Sequence, residues 1–298
     1  MTVPAVPTVP TAPAEAAALP EPAESPDLVS GRRFALTHPA SLLIAALIGG
    51  GLAYCFDTSS RLAVTSVAVV QGLLIVAWVF GTPVVGRIGA IVIGAGTAAG
   101  SDVAVTHRQG QLGSLVAVVG LALIAMFGHQ LLRGRRRVNV VESLAGIALL
   151  VVAVAALSTI VELRYQVDGP VLAVAVVLCV SAAVVVGHLI DWIWVPLRFD
   201  PAVNRGLLAV AGSVIAGAAV TLVRLRHSVE FTGQRAVLLG ATLALVTALF
   251  GVAAAYVGAT DPVAGGRVAR IARPLATTLF TFALAAPFAY LLCLALRG

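Results

Sequence analysis

The sequence contains few charged side chains for its length of 298 residues. Only 11% of the residues are charged, whereas a soluble domain is about 25% charged. Lysine is absent, so all 19 basic residues are arginine. Hydrophobic residues make up 60% of the chain and the mean hydropathy is +1.04. This composition excludes an ordinary soluble globular protein and a largely disordered one, and it indicates a polytopic helical membrane protein.

Cysteine and cofactor motifs are also scarce. The three cysteines, Cys55, Cys179 and Cys293, lie in separate apolar segments without metal-ligand spacing, so we expect neither a disulfide nor a zinc site. The sequence has no P-loop, no HExxH, no GxSxG and no ferredoxin-type cysteine run. We therefore expect no bound metal and no cofactor.

The amino-terminal residues differ in composition from the rest. Residues 1–30 hold seven of the 15 prolines and four of the 13 acidic residues, and proline at this density favours extended, solvated chain. We expect residues 1–34 to form a disordered cytoplasmic tail rich in proline and alanine. Residues 35–298 then form a single transmembrane helical domain.

Nine apolar segments approach the roughly 20 residues that a helix needs to cross the hydrocarbon core. Their apolarity is continuous rather than alternating, which favours helices over strands. The sequence therefore predicts an all-α polytopic integral membrane protein with about nine transmembrane helices. The predicted spans are Pro39–Phe56, Leu62–Phe80, Pro83–Ala104, Leu112–Leu132, Val141–Val161, Pro170–Ile190, Gly206–Val223, Ala236–Val257 and Pro274–Leu296.

The arginines predict the orientation in the membrane. With the tail in the cytoplasm, 12 of the 19 arginines fall on the cytoplasmic side, as the positive-inside rule requires. We expect a multi-pass protein of the cell membrane with a cytoplasmic amino terminus and membrane lipids as partners. Nothing resembles a nucleic-acid-binding module. A protein partner or a homo-oligomer is compatible with the sequence, which identifies neither.

Ionisable residues inside membrane spans are costly and mark functional candidates. His188 and Asp191 are three residues apart and share one helix face. Such a pair can bind a metal or move a proton, although a hydrogen-bonded cap at the interface is the more common reason for it.

The last third of the chain resembles a known family. The segment from Ala264 to Ala272 reads AGGRVARIA, and the apolar span after it ends in the sequence Ala286-Pro287-Phe288. This pattern is similar to the carboxyl-terminal signature of the phosphatidate cytidylyltransferases, or CDP-diacylglycerol synthases. That signature reads HGG-x-hydrophobic-DR-hydrophobic-D and precedes a span with an Ala-Pro-aromatic step. The residues that match are Gly265, Gly266, Val268, Arg270 and Ile271.

The chain departs from this family at the acidic positions. The family's histidine falls on Ala264, and its two aspartates fall on Ala269 and Ala272. The family's reaction is transfer of a cytidylyl group from CTP to phosphatidate, which needs carboxylates to hold divalent metal. Alanine cannot supply such ligands, so the resemblance implies a catalytically eroded relative with no catalytic residue of its own.

Three functions remain open from the sequence. The first is a non-catalytic membrane protein that binds anionic lipid or acts as a scaffold, with Arg267, Arg270 and Arg273 as the candidate ligands of a lipid phosphate. The second is an atypical lipid-nucleotide transferase that uses other acids, namely Asp191, Asp200 and Asp261. The third is a transporter or permease, but the sequence shows neither an internal repeat nor a charge at the middle of a span.

Overall fold

The computed structural model describes residues 26–107, 113–134, 139–193, 198–200, 203–260 and 267–297. Within these ranges the chain forms nine α-helices and one two-stranded hairpin. The helices are α1 (Pro26–Thr58), α2 (Ser60–Gly81), α3 (Arg87–His107), α4 (Gly113–Leu132), α5 (Val140–Leu163), α6 (Gly169–Ile193), α7 (Leu207–Leu225), α8 (Gly233–Thr260) and α9 (Arg267–Leu296). The antiparallel hairpin joins α6 to α7 and consists of β1 (Arg198–Asp200) and β2 (Val203–Gly206).

Each of the nine described helices contains a segment long and apolar enough to cross a membrane. The predicted fold class and the predicted number of spans are therefore confirmed. Helix α1 begins at Pro26, before the predicted end of the tail, and its apolar part begins at His38. The prediction of a disordered tail otherwise falls on residues 1–25, which lie outside the described residues.

Contacts between helices give their relative directions. The Ser181 hydroxyl of α6 donates to the Ala45 carbonyl oxygen of α1 at 2.9 Å, and His38 of α1 lies beside His188 of α6, so these two helices are antiparallel. Along the chain the helices alternate in direction. We call the end at which α1, α3, α5, α7 and α9 begin the tail-side face, and the opposite end the far face.

The core lies around α5 and α6, which are the most deeply buried spans among the described residues. Close helix contacts rely on small residues, as expected where lipid supplies no hydrophobic drive. Gly240 of α8 lies against the Gly217 carbonyl oxygen and the Thr221 side chain of α7, and the Thr221 hydroxyl donates to the Ala236 carbonyl oxygen at 2.8 Å. A side chain at Gly240 would force the two backbones apart.

Polar contacts tie the loops of the far face together. Asp168, whose φ of 54° lies in the left-handed region, accepts hydrogen bonds from the Ser228 hydroxyl at 2.8 Å and the Val229 amide at 3.2 Å. Arg297 forms an ion pair with Glu230 at 3.2 Å. These contacts join the α5–α6 and α7–α8 connections to the end of α9, so the far-face charges serve structure.

Candidate functional sites

A mostly buried arginine occupies the tail-side face between α6 and α7. Arg205 belongs to β2, and the short hairpin turns its side chain inward beside α6. Two glycines leave room for the guanidinium. A Cβ atom placed on Gly187 would lie 3.7 Å from Arg205 Nη1, and one placed on Gly251 would lie 3.3 Å from Arg205 Nη2. The Arg205 side chain is only 14% exposed, so its charge needs a partner inside the protein.

Asp191 is that partner. Its Oδ2 accepts a hydrogen bond from Arg205 Nη1 at 3.1 Å, and its Oδ1 accepts one from the Gly206 amide at 2.9 Å. The Asp191 side chain is fully buried. The ion pair therefore fastens the hairpin to the end of α6, and each carboxylate oxygen has a donor.

Two histidines extend this cluster to α1. Arg205 Nη2 lies 2.9 Å from His188 Nε2, and His188 Nδ1 lies 3.1 Å from His38 Nδ1. Arginine is only a donor, so His188 Nε2 accepts. His188 then carries its proton on Nδ1 and donates it to His38 Nδ1. The tautomers of both rings follow from this chain of hydrogen bonds.

The Arg205 cluster, consisting of His38, His188, Asp191 and Arg205, has no net charge in this arrangement. Burial lowers the pKa of the Arg205 guanidinium, while the charge and hydrogen bond of Asp191 act in the opposite direction. Arginine keeps its proton in proteins, so one positive and one negative charge remain. These contacts join α1, α6 and the hairpin, which is typical of a structural anchor.

A small cavity adjoins Arg205 and is lined in part by Ser213, Thr247 and Thr281. Its volume is about 20 Å³, which suits a single water molecule and not a substrate. The three hydroxyl groups donate to backbone carbonyl oxygens of their own or a neighbouring helix. This cavity is therefore too small for an organic substrate.

A larger cavity lies at the tail-side face where α3 begins. This α3–α4 cleft has a volume of about 590 Å³ and is lined by residues 83–89 and by His129 of α4. Gly86 has a φ of 88°, and its carbonyl oxygen accepts the first helical hydrogen bond from Ala90 at 3.2 Å. The amides of residues 87–89 thus have no partner within α3, as at any helix start, and they lie along the cleft.

One wall of the cleft is a histidine packed on glycine. The His129 ring lies directly against Gly89, and its Nε2 lies 2.9 Å from where a Cβ would stand on Gly86. This Nε2 is buried and has no hydrogen-bond partner among the described residues. The glycines at 86 and 89 therefore admit the ring, and they leave a ring nitrogen beside the cleft.

A chain of hydrogen bonds fixes the other wall. The Ser143 hydroxyl donates to the Val85 carbonyl oxygen at 2.8 Å, and Gln130 Nε2 donates to Ser143 Oγ at 2.9 Å. Arg133 Nη1 in turn donates to Gln130 Oε1 at 2.9 Å. The α2–α3 connection is thereby tied to α4 and α5, so the cleft is held in shape by buried polar contacts.

The charges around the cleft are mainly positive. Arg87 lines the cleft, with its guanidinium carbon 5.5 Å from the centre of the Phe80 ring, and the Arg133 side chain lies next to Gly86. Arg135, Arg136 and Arg137 follow in the sequence, outside the described residues. Glu142, exposed in the first turn of α5, is the acid nearest in sequence to the cleft wall at Ser143.

The predicted phosphate ligands lie on the first turns of α9. Arg270 is exposed and Arg273 is partly buried, while Arg267 begins the helix and its side chain is outside the described part. A Cβ atom placed on Gly81, at the end of α2, would lie 3.2 Å from the backbone of Ala272 and Arg273. The α9 arginines therefore share the tail-side face with the α3–α4 cleft.

The predicted acids have different surroundings. Asp191 is held by Arg205, as is His188, so the predicted His188–Asp191 pair is joined through an arginine. Asp200 lies in β1, but its side chain is outside the described part, and Asp261 is outside the described residues altogether. Where the chain is described, the carboxylate of Asp191 contacts neither Arg270 nor Arg273.

Sequence reasoning overlooked three residues that shape these sites. The sequence places Arg205 in a loop between two predicted spans and His38 just before the first predicted span, and neither position indicates a partner. His129 lies near the end of the fourth predicted span, next to Gln130. A signal did exist for His129, because Gly86 and Gly89 are spaced to expose one face of α3. For the long-range contact between His38 and His188, no local signal existed.

Comparison with known proteins gives no relative from which a function could be carried over: no family model, no curated protein and no solved structure matches this chain.

Proposed function

We propose that this polytopic membrane protein binds the phosphate group of an anionic phospholipid in the α3–α4 cleft, drawing the lipid from the leaflet at the tail-side face. The observation that carries the proposal is the cleft itself. Its volume of about 590 Å³ falls within the range of small-molecule sites, and it combines free helix-start amides with Arg87 and His129.

The chemistry of the cleft favours a phosphate. Unpaired amides at a helix start and the positive end of the helix dipole attract anions. Arg87 adds a fixed charge, and Arg133 stands beside Gly86. His129 Nε2 is a polar atom without a partner among the described residues, and in the tautomer with its hydrogen on Nε2 it is a hydrogen-bond donor.

The position of the cleft favours a lipid as the source of that phosphate. Ile88, which lines the cleft, is 81% exposed, and Leu132 at the end of α4 is 89% exposed. These side chains face the surroundings of the bundle, where acyl chains lie. Basic pockets between helices at the membrane surface are typical binding sites of anionic headgroups.

The resemblance to the cytidylyltransferases fits this proposal as a lipid-binding ancestry without the reaction. A phosphatidate phosphate is one ligand the cleft can take. Asp191, the one candidate acid whose side chain is described, is already neutralised by Arg205. The alternative of an atypical transferase would therefore rest on Asp200 and Asp261.

The test is lipid binding by the full-length protein in detergent. We would titrate phosphatidylglycerol or phosphatidate against phosphatidylcholine and follow binding by native mass spectrometry. The double variant Arg87→Gln/Arg133→Gln is expected to bind the anionic lipids at least tenfold more weakly, because each surface arginine contributes about 1 kcal/mol, or roughly fivefold. Binding of phosphatidylcholine should not change.

Two control variants locate the site. Arg224→Gln removes an exposed charge on α7 near the far face and should leave anionic-lipid binding intact. The triple variant of Arg267, Arg270 and Arg273 to glutamine removes the α9 candidates. If this triple variant abolished binding while the Arg87/Arg133 variant did not, the phosphate would bind at α9 and the proposal for the cleft would be wrong.

A further inference from the structure

A second polar cluster lies between α2, α3 and α5, within the membrane-spanning part. Gln71 Nε2 donates to Ser158 Oγ at 2.9 Å and approaches Asp102 Oδ1 at 3.3 Å. The Ser158 hydroxyl donates to the same Asp102 oxygen at 2.8 Å. Gln71 and Ser158 are fully buried, whereas Asp102 is partly exposed.

The depth of this cluster distinguishes it from an interfacial contact. Asp102 lies five residues before the end of α3, about 7.5 Å along the helix axis. Gln71 lies at the middle of α2, about 16 Å from that helix's far-face end. The cluster therefore extends from near the far face towards the centre of the bilayer.

The orientation of the Gln71 amide follows from its surroundings. Nε2 also donates to the Val154 carbonyl oxygen at 3.0 Å, and a carbonyl oxygen can only accept. The nitrogen must therefore face Val154, which leaves Oε1 on the other side of the amide. That oxygen is buried and has no partner among the described residues. Nε2 lies 3.3 Å from Asp102 Oδ1, and the two polar atoms of an amide are about 2.2 Å apart, so Oε1 lies no more than about 5.5 Å from that carboxylate oxygen.

Among the described residues, no cation pairs with the Asp102 carboxylate. Where the chain is described, the ion pairs join Arg205 to Asp191 and Arg297 to Glu230, and neither involves Asp102. Both donors to Asp102 reach Oδ1, so Oδ2 remains open. A carboxylate without an ion-pair partner and an amide oxygen without a hydrogen-bond partner among the described residues form a set of oxygen ligands suited to a cation. The buried Ser101 hydroxyl, next to Asp102 in α3, also has no partner among the described residues.

Apolar side chains close this cluster off on its tail side. Towards the tail-side face, Gly94 of α3 is closed in by Ile75 of α2 and Leu150 of α5, whose side-chain carbons lie 3.1 Å and 3.3 Å from where its Cβ would stand. Both of these apolar side chains are buried. Apolar packing at Gly94 therefore separates the cluster from the tail-side face in this conformation.

We propose that Asp102, Gln71 and Ser158 form a binding site for a small monovalent cation, with Na⁺ as the natural probe, in the half of the bundle nearer the far face. Asp102 Oδ2 supplies the negative charge and Gln71 Oε1 the second oxygen. Ser158 and the Gln71 amide nitrogen hold the carboxylate in position. This site is separate from the α3–α4 cleft and does not depend on the lipid proposal.

The test compares the thermal unfolding of the purified full-length protein in sodium chloride and in choline chloride at equal ionic strength. Binding to the folded state alone raises Tm, and at ten times the Kd we expect a rise of about 3–6 °C. Binding of radioactive sodium should saturate at one ion per chain. If neither Tm nor sodium binding responds, Asp102 holds a proton or needs no partner, and the proposal is overturned.

Three variants separate a cation site from a merely structural contact. Asp102→Asn should lose the sodium response while its Tm in choline chloride stays equal or rises, because an uncompensated carboxylate has been removed. Gln71→Met should lose most of the response through loss of Oε1. Asp57→Asn, an exposed acid at the end of α1 near the same face, should keep it. A full sodium response in Asp102→Asn would refute the assignment even if Gln71→Met did not fold.

Discussion

Removing the carboxylate of Asp191 tests whether the Arg205 cluster anchors the tail-side face. The substitution Asp191→Leu takes away the ion pair at 3.1 Å and the acceptor for the Gly206 amide at 2.9 Å. It leaves Arg205, 14% exposed, with a buried charge and no anion. Breaking a buried pair in this way costs about 3–5 kcal/mol.

The double variant distinguishes the loss of the ion pair from the cost of leaving the buried charge of Arg205 without a partner. In Asp191→Leu/Arg205→Met both charges are gone, and replacing a whole buried pair by apolar residues is often close to neutral. We therefore expect the double variant to be more stable than Asp191→Leu alone. Some loss should remain, since His188 Nε2 no longer receives its hydrogen bond from Arg205.

Thermal unfolding in detergent, followed by size-exclusion chromatography of the surviving folded fraction, measures both variants. At about 2–4 °C per kcal/mol for a chain of this order of size, Asp191→Leu should lower Tm by about 6–20 °C. Asp57→Leu, at an exposed position, serves as the control and should change little. The reasoning is refuted if Asp191→Leu unfolds within about 2 °C of the parent, or if the double variant is the less stable of the two.

Two further predictions concern helix contact and catalysis. Gly240→Ala should lower the free energy of unfolding by about 1–3 kcal/mol through overpacking, because a Cβ there meets the α7 backbone, including Ala218 Cα at 2.9 Å. Gly120→Ala on α4, where nothing lies within 4 Å, should be neutral or slightly stabilising; equal effects in chemical unfolding would contradict the close approach of α7 and α8. Incubation of the purified protein with CTP, phosphatidate and magnesium should form no CDP-diacylglycerol above a no-protein control, since alanine occupies positions 264, 269 and 272; any protein-dependent product detected by thin-layer chromatography would restore the transferase hypothesis.

The membrane class and the helices follow directly from the sequence. A span needs only length and continuous apolarity, which are local properties, so nine predicted segments correspond to nine described helices. Boundaries were less certain because polar residues can continue a helix beyond the hydrocarbon. Helix α1 illustrates this, since it begins at Pro26 while its apolar part begins at His38.

The sites depend on contacts that no local pattern encodes. His188 and Asp191 could be paired from their spacing on one helix, because three residues make almost one turn. Their actual partner, Arg205, lies beyond a hairpin, and His38 lies 150 residues away in the chain. The sequence places Asp102 near the end of the predicted span Pro83–Ala104, but its contacts with Gln71 and Ser158 require three helices to meet.

The sequence by itself determined that this chain crosses the membrane with nine helices, because scarcity of charge and runs of apolar residues are sufficient for that. It also determined that the acids of the resembling transferases are absent. Only the tertiary structure decided which of the remaining polar groups are neutralised. It pairs Asp191 with Arg205, and among the described residues it gives Asp102 no ion-pair partner and His129 Nε2 no hydrogen-bond partner. The physical reason is that burial and pairing of a charge depend on neighbours brought together by folding, and these neighbours are distant in the chain.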